Sequence, residues 1–138
     1  IVIDYLGLLS GYGNKSSYER VSALSRNIKV MATELNVPVL VLVQLNRDSK
    51  SRENKRPVLT DIRESGAIEQ DADFVLFAYR DYMFSGDYSK KDDLEIIVAK
   101  NRHGISNVTC FLDFNLNTQE ISNKTNYRND KLDWINKW

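Results

Sequence analysis

Seven consecutive apolar residues from position 37 to 43 constrain the fold of this chain more than any other segment. The run reads Val-Pro-Val-Leu-Val-Leu-Val and is rich in β-branched side chains. A strand without polar alternation is typical of a parallel sheet whose two faces are both covered. Because parallel neighbours need a crossover connection, the run predicts an α/β fold with a mostly parallel sheet flanked by helices.

The residues before this run supply the crossover. Ser16 and Glu19 have the spacing of a capping box, and apolar residues recur at helical spacing across 17–35. Pro38 prevents the helix from continuing. A short buried strand is predicted at the start of residues 1–9, so strand, helix and strand form one βαβ unit with a right-handed crossover.

The rest of the chain predicts smaller elements. They are short helical turns over 60–72, a third strand over 74–79, a charged loop over 81–93, and a C-terminal hairpin of strands over 94–99 and 108–114. Residues 115–138 are polar, and they predict a weakly structured tail that ends in a terminal helix near the two tryptophans.

Composition narrows the class of protein. The 138 residues suit one domain, and 19 basic residues balance 19 acidic ones, so any affinity for nucleic acid must come from a local patch. The single cysteine, Cys110, excludes an intrachain disulfide, and its apolar neighbours predict a small buried side chain. The apolar runs are too short to span a bilayer.

Two polar side chains follow the two strands of the βαβ unit. Asp4 ends the first strand and Gln44 ends the second. Ligands of open parallel sheets bind outside the carboxyl ends of the strands, so the two side chains are candidates for one site. A glutamine there can donate to a phosphate oxygen or orient a water, or it only caps the strand end. The sequence contains no glycine-rich phosphate loop.

Three further clusters carry charge. Residues 47–56 hold five cations and two acids, which suits a phosphate-binding loop but more commonly a solvated surface. Arg63 beside Gly66 suits contact with a phosphate backbone, or an ordinary helix end. For the acids at 69, 71 and 73, a role at a helix N-terminus or in a loop is favoured over metal binding because no histidine lies near them.

Two cations stand one residue apart at the end of the predicted strand 94–99. Lys100 and Arg102 would share one face if the strand continued through them, which would let both grip a phosphate from one side. The alternative is the charged tip of a hairpin. The only histidine, His103, is predicted to be a plain loop residue, because no pattern of a serine or cysteine partner supports catalysis by it.

In this order, the motifs resemble the C-terminal RecA-like ATPase domain of bacterial replicative hexameric DNA helicases of the DnaB type. Residues 1–6 resemble the Walker B strand of the family, and 56–73 is the most specific matching stretch. Tyr79-Arg80-Asp81 and residues 97–104 complete the order. The resemblance implies two segments, residues 1–114 as the C-terminal part of the ATPase domain and residues 115–138 as a tail.

The resemblance implies a use of ATP and Mg²⁺. Asp4 would be the Walker B acid that holds Mg²⁺, through water. Gln44 would sense the γ-phosphate and couple it to the DNA loop. Lys100 and Arg102 would reach the ATP of the neighbouring subunit, with Arg102 as an arginine finger, which suits phosphoryl transfer because positioning and charge stabilisation dominate its catalysis.

It also implies partners. Arg63, Glu64 and Gly66 would follow the backbone of single-stranded DNA through a homo-hexamer, with primase and a helicase loader as further candidate partners in the cytoplasm at the nucleoid. Because the phosphate loop and the catalytic glutamate of the family are not in the sequence, the chain is expected to be the later part of a longer protein and inactive alone. The alternatives are another RecA-like repair or recombination ATPase and a non-catalytic module that binds DNA or a partner protein.

Overall fold

The computed structural model describes residues 1–9, 16–46, 52–62 and 65–124. These residues divide between two compact units, Ile1–Asp73 and Phe74–Trp138. None of the helices in these ranges is both long enough and apolar enough to cross a lipid bilayer.

The first unit is built on one long helix. Helix α1 spans Ser17–Leu35 and starts with the predicted capping box, in which Ser16 and Glu19 exchange hydrogen bonds. At its other end Asn36 adopts the left-handed conformation, with φ 49°. Asparagine tolerates this conformation, so it ends the helix where the sequence predicts. The prediction of a helix over 17–35 is confirmed.

Strands β1 (Val2–Ile3) and β2 (Leu40–Val41) pair in parallel, with Val2 opposite Leu40. The Leu42 N–H donates to the Ile3 carbonyl at 2.9 Å, and the Leu6 N–H donates to the Leu42 carbonyl at 3.0 Å. The βαβ order is therefore confirmed. The parallel strands are shorter than the apolar runs that predicted them.

The predicted burial of the second strand on both faces is wrong for this chain. Leu40 is 59% exposed and Leu42 is 43% exposed, and Val2 on the neighbouring strand is 67% exposed. Within the described residues β1 and β2 pair only with each other, so no further strand extends this sheet on either side. A continuous apolar run is typical of a strand that is covered on both faces, but neighbouring elements decide whether its side chains are buried.

Helix α2 (Ser65–Asp71) follows a 3-10 turn at Leu59–Asp61 and packs on α1. Two acids at and after its end accept hydrogen bonds from α1. Asp71 accepts from Ser25 Oγ at 2.9 Å and from an Arg26 guanidinium nitrogen at 3.1 Å, and Asp73 accepts from Lys29 Nζ at 2.5 Å. These bonds join two helices that the sequence predicted separately.

The second unit is a four-stranded antiparallel sheet in the order β3-β4-β5-β6. Its strands are β3 (Phe74–Tyr79), β4 (Asp93–Asn101), β5 (Val108–Phe114) and β6 (Ile121–Asn123). The third strand and the hairpin are thus confirmed. Burial alternates along β3, where Val75, Phe77 and Tyr79 are buried and Phe74 and Leu76 are exposed, as expected for a strand with one covered face.

Residues beyond Phe114 belong partly to this sheet. Strand β6 pairs with β5 through Leu112 opposite Asn123, inside the segment that the sequence assigned to a tail. The Lys124 ammonium donates to the carboxylate of Asp93, the first residue of β4. The predicted terminal helix near Trp134 and Trp138 lies outside the described residues.

The loop between β3 and β4 folds around Asp81. Its carboxylate accepts hydrogen bonds from the Tyr79 hydroxyl at 2.9 Å and from Lys90 Nζ at 2.7 Å. Helix α3 (Tyr82–Ser85) and a 3-10 turn at Tyr88–Lys90 occupy what the sequence predicts as a charged loop. The bond from Lys90, followed by that from Tyr79, lowers the pKa of Asp81 from its usual 3.8.

Asp81→Asn is expected to lower the free energy of unfolding by less than about 1 kcal/mol at neutral pH, because the ion pair is partly solvated. A carboxyl whose folded pKa lies below its unfolded value of 3.8 stabilises the fold above 3.8. The stabilisation is lost as the pH falls through the folded pKa. Urea unfolding from pH 7 to below pH ~3 should show the difference from wild type vanish in acid. Asp92→Asn, which removes an exposed carboxylate of the same loop, is the control. The expectation would be contradicted if the stability difference between Asp92→Asn and wild type changed with pH in the same way.

Candidate functional site

Asp4 and Gln44 lie at the same end of the parallel strand pair. Asp4 directly follows β1, and Gln44 lies three residues after β2. The register that sets Ile3 opposite Val41 directs both chains out of the sheet at its carboxyl edge. Both residues are exposed. The structure therefore brings these two candidates to one edge, with side chains available to a ligand.

The chain after Gln44 is tied to the segment that precedes Arg63. Leu45 forms an antiparallel bridge with Ile62. The Asn46 N–H donates to the Asp61 carbonyl at 2.8 Å. Residues far apart in sequence are thereby fixed side by side, a contact that no local pattern in the sequence announced.

The DNA-loop candidates are described only in part. Arg63 and Glu64 lie outside the described residues. Gly66 is exposed in the first turn of α2, and a Cβ built on it would meet only the Tyr18 hydroxyl at 3.8 Å, an ordinary contact. Within the described part of the first unit, then, sterics do not demand a glycine at 66.

The basic run over 47–56 contributes at least one internal ion pair. Residues 47–51 lie outside the described part of the chain, but Arg52 is described. Its guanidinium donates to Asp61 at 2.6 Å and to the Arg56 carbonyl at 3.1 Å. Arg52 is therefore a structural cation in this conformation, which differs from both a phosphate-binding loop and a solvated surface.

The acids at the end of α2 and after it also have structural partners. Asp71 and Asp73 bind Ser25, Arg26 and Lys29 of α1. Over residues 1–9, 16–46, 52–62 and 65–124, no three His, Cys, Asp or Glu side chains cluster closely enough to hold a metal ion. Asp73 lies in the loop after α2, one of the two places that the sequence favoured, whereas Asp71 is the last residue of α2 and not at a helix N-terminus.

Strand β4 ends between Lys100 and Arg102, so one of these cations lies in the strand and the other lies after it. Lys100 is half-buried within β4, opposite Val75 of β3. The strand ends at Asn101, and Arg102 is exposed in the turn that follows. Because strand geometry stops before Arg102, alternation alone no longer fixes the direction of its side chain.

Asn101 organises the turn that carries Arg102, a role that the sequence did not predict. It is 8% exposed, and its amide donates to the Ile105 carbonyl at 3.3 Å while its oxygen accepts from the His103 N–H at 3.0 Å. A Cβ at Gly104 would lie 2.9 Å from the Asn101 amide nitrogen. The order Asn-Arg-His-Gly could have indicated such a turn, because an asparagine side chain in a turn commonly forms a hydrogen bond with the backbone two residues later.

Cys110 shows no sign of reactivity. It is half-buried on β5, and burial raises the pKa of its thiol above the usual 9.0. A raised pKa leaves little thiolate at neutral pH. The sequence predicted a small buried side chain at Cys110, and the structure shows this side chain only half-buried.

Comparison with known proteins decides the family. The model of the DnaB-like helicase C terminal domain matches residues 1–123. The chain belongs to this family. The match continues past Phe114 and includes β6, so the DnaB-like pattern extends beyond the stretch that the sequence motifs covered.

Individual relatives of the DnaB-like chain agree. It is 51% identical to the replicative DNA helicase DnaB of Geobacillus stearothermophilus over 106 residues, which are 75% of this chain and 23% of that relative. It is 49% identical to the replicative DNA helicase DnaC of Bacillus subtilis over 106 residues, again 75% of this chain and 23% of that relative. The chain thus spans about a quarter of the length of these relatives.

Solved structures give the same result for the fold. One solved ATPase domain superposes with a TM-score of 0.85 at 42% identity, covering 89% of this chain and 43% of that one. A DnaB-like replicative helicase, described with its interactions with primase, gives the same TM-score and identity and covers 89% of this chain and 30% of that one. The predicted RecA-like α/β class is confirmed. The expectation of a mostly parallel sheet does not hold for the described residues, in which only β1 and β2 pair in parallel and the four strands of the second unit pair antiparallel.

Asn101→Ala is expected to lower the free energy of unfolding by about 1–2 kcal/mol, because it removes two partly buried hydrogen bonds in the turn. Urea unfolding of an intact protein that carries this chain measures the loss. Asn117→Ala, which alters an exposed turn between β5 and β6, is the control and should change stability by less than about 0.5 kcal/mol. Gly104→Ala should cost less in the Asn101→Ala background than alone, and equal costs would contradict the contact.

Proposed function

We propose that this chain works as part of an ATP-dependent replicative DNA helicase that moves along single-stranded DNA and separates the duplex. The observation that carries the proposal is the pair Asp4 and Gln44 at one strand edge, in a chain 51% identical to a replicative helicase. The chain supplies part of a homo-hexameric ring in the cytoplasm, and primase and a helicase loader are its further candidate partners. The high identity favours a helicase over other RecA-like ATPases.

Asp4 holds Mg²⁺ in this proposal. Mg²⁺ in phosphate sites keeps several waters and takes one or two carboxylates together with phosphate oxygens. An exposed carboxylate at the carboxyl edge of a strand, with no metal-binding cluster of acids elsewhere in the described ranges, fits that pattern. The metal supplies charge neutralisation on the β- and γ-phosphates of ATP.

Gln44 senses the γ-phosphate. Its amide can donate to a phosphate oxygen or hold the attacking water without adding a charge of its own. Its exposure and its place at the edge beside Asp4 support this role. The hydrogen bonds that follow it in the chain connect it to the segment before Arg63.

Lys100 and Arg102 act on the ATP of a neighbouring subunit. The exposed Arg102, in a turn held by Asn101, suits a cation that stabilises the charge of the transition state from outside the subunit that binds the nucleotide. Lys100 adds a second positive charge beside it. Arg63, Glu64 and Gly66 line the path of the DNA backbone.

Arg102→Ala in an intact helicase carrying this chain should lower kcat for DNA-stimulated ATP hydrolysis by about 10³-fold or more, the range known for arginine fingers. The dissociation constant for ATP should change little, because the finger acts on the transition state. Steady-state hydrolysis and equilibrium binding measure the two. Near-normal turnover would remove Arg102 from the reaction.

Mixed rings separate action within a subunit from action between subunits. Subunits with Asp4→Asn and subunits with Arg102→Ala should each form inactive rings. A mixture should regain part of the activity, because some interfaces then combine an intact Asp4 with an intact Arg102 of the neighbour. No recovery in rings shown to be mixed would place Arg102 in the same site as the Asp4 of its own subunit.

Arg63→Ala should weaken binding of single-stranded DNA and reduce the slope of log K against log salt by about 0.7, the value for one phosphate contact on a single strand. Fluorescence anisotropy at several salt concentrations measures the slope. Arg20→Ala removes an exposed cation of α1 and is the matched control, for which the slope should not change. An unchanged slope for Arg63→Ala would exclude Arg63 from the DNA path.

A further inference from the structure

Asp61 has a buried carboxylate that is bound by a charged side chain and by a backbone N–H group. Its side chain is 7% exposed. One oxygen, Oδ2, accepts from the Arg52 guanidinium at 2.6 Å and from the Val58 N–H at 2.8 Å. Arg52 makes a further bond to the Arg56 carbonyl. A charged hydrogen bond of this length fixes the orientation of both partners.

The backbone of the same residue holds the chain that leaves β2. The Asp61 carbonyl accepts from the Asn46 N–H at 2.8 Å, and Ile62 bridges Leu45. Gln44 is the next residue before Leu45. Asp61 therefore holds the strand end that carries Gln44 with its backbone while its side chain is held by Arg52.

The arrangement depends on the ion pair. Arg52 Nε is buried and has no hydrogen-bond partner among the described residues, so the Asp61 carboxylate and the Arg56 carbonyl are what the structure shows its guanidinium bound to. Removing the carboxylate leaves a partly buried cation without its counter-charge, which is costly in a low-dielectric setting. A shift of this segment would displace Asn46, and with it the chain next to Gln44.

We propose that the Arg52–Asp61 ion pair is a positioning element that couples nucleotide binding at Gln44 to DNA binding, because it holds Asp61 and Ile62 against the chain that follows Gln44. The inference rests on the proposed function, since it requires a nucleotide at one end and DNA at the other. Neither Arg52 nor Asp61 contacts a ligand in this proposal. Their role is to keep the two segments in one register, so that movement of one moves the other.

The coupling is measured as the ratio of two dissociation constants for DNA, one without nucleotide and one with it. In an intact helicase that carries this chain, the dissociation constant for a dT oligonucleotide is measured with and without a non-hydrolysable ATP analogue and Mg²⁺. The wild type is expected to show a ratio of about 5- to 150-fold, the usual range of coupling between two sites. Asp61→Asn keeps the size of the side chain and its acceptor for Val58 but removes the charge, and the ratio should fall below about twofold.

A structural defect would behave differently. If the ion pair acts by coupling, Asp61→Asn leaves the affinity for the ATP analogue without DNA within about twofold of wild type. Arg52→Lys retains part of the wild-type ratio, because lysine keeps the positive charge but not the two-pronged geometry of the guanidinium. Loss of both separate affinities together with a lower melting temperature in Asp61→Asn and in Arg52→Lys would show a purely structural role and overturn the inference.

Asp93→Asn is the matched control, because it breaks another Asp–cation pair, with Lys124, in the second unit. Its ratio should equal that of wild type, and an equal loss in this variant would overturn the assignment to Asp61. The inference would also be overturned if Asp61→Asn showed the same ratio as the wild type. A wild-type protein that binds neither the analogue nor the oligonucleotide refutes the proposed function itself, so the two failures are distinguishable.

Discussion

The parallel pairing of β1 with β2 is the interaction on which the candidate site depends. It forms between residues almost 40 positions apart, with Val2 opposite Leu40, and the 19-residue helix α1 makes the connection between them. Because both strands run in the same direction, both deliver their following residues to one edge. Without that pairing Asp4 and Gln44 would be unrelated polar residues.

Ion pairs connect several elements of the first unit. Arg26 of α1 binds Asp71, the last residue of α2, and Lys29 of α1 binds Asp73, which follows α2. Arg52 binds Asp61, which precedes α2. Exposed pairs such as that of Arg26 add little stability, whereas the buried carboxylate of Asp61 sets a precise geometry. The first unit therefore relies on directional contacts where its apolar cover is thin.

The second unit is organised differently. A four-stranded antiparallel sheet with one well-covered face presents Lys100 inside a strand and Arg102 in a turn. The turn is held by the buried side chain of Asn101. Arg102 therefore lies between a strand and a turn that has its own hydrogen bonds, an arrangement in which a scaffold positions an exposed loop residue.

Local patterns determined much of this protein. The capping box at Ser16, the helical spacing up to Leu35 and the strands at 74–79 and 108–114 follow from propensity and periodicity, which act over a few residues. The ordered motifs were also enough to suggest the DnaB-like family. Tertiary structure alone decided the exposure of Leu40, the bond from Arg52 to Asp61 and the burial of Asn101. Each of these depends on which distant segment lies opposite, and one sequence does not encode that as a local pattern.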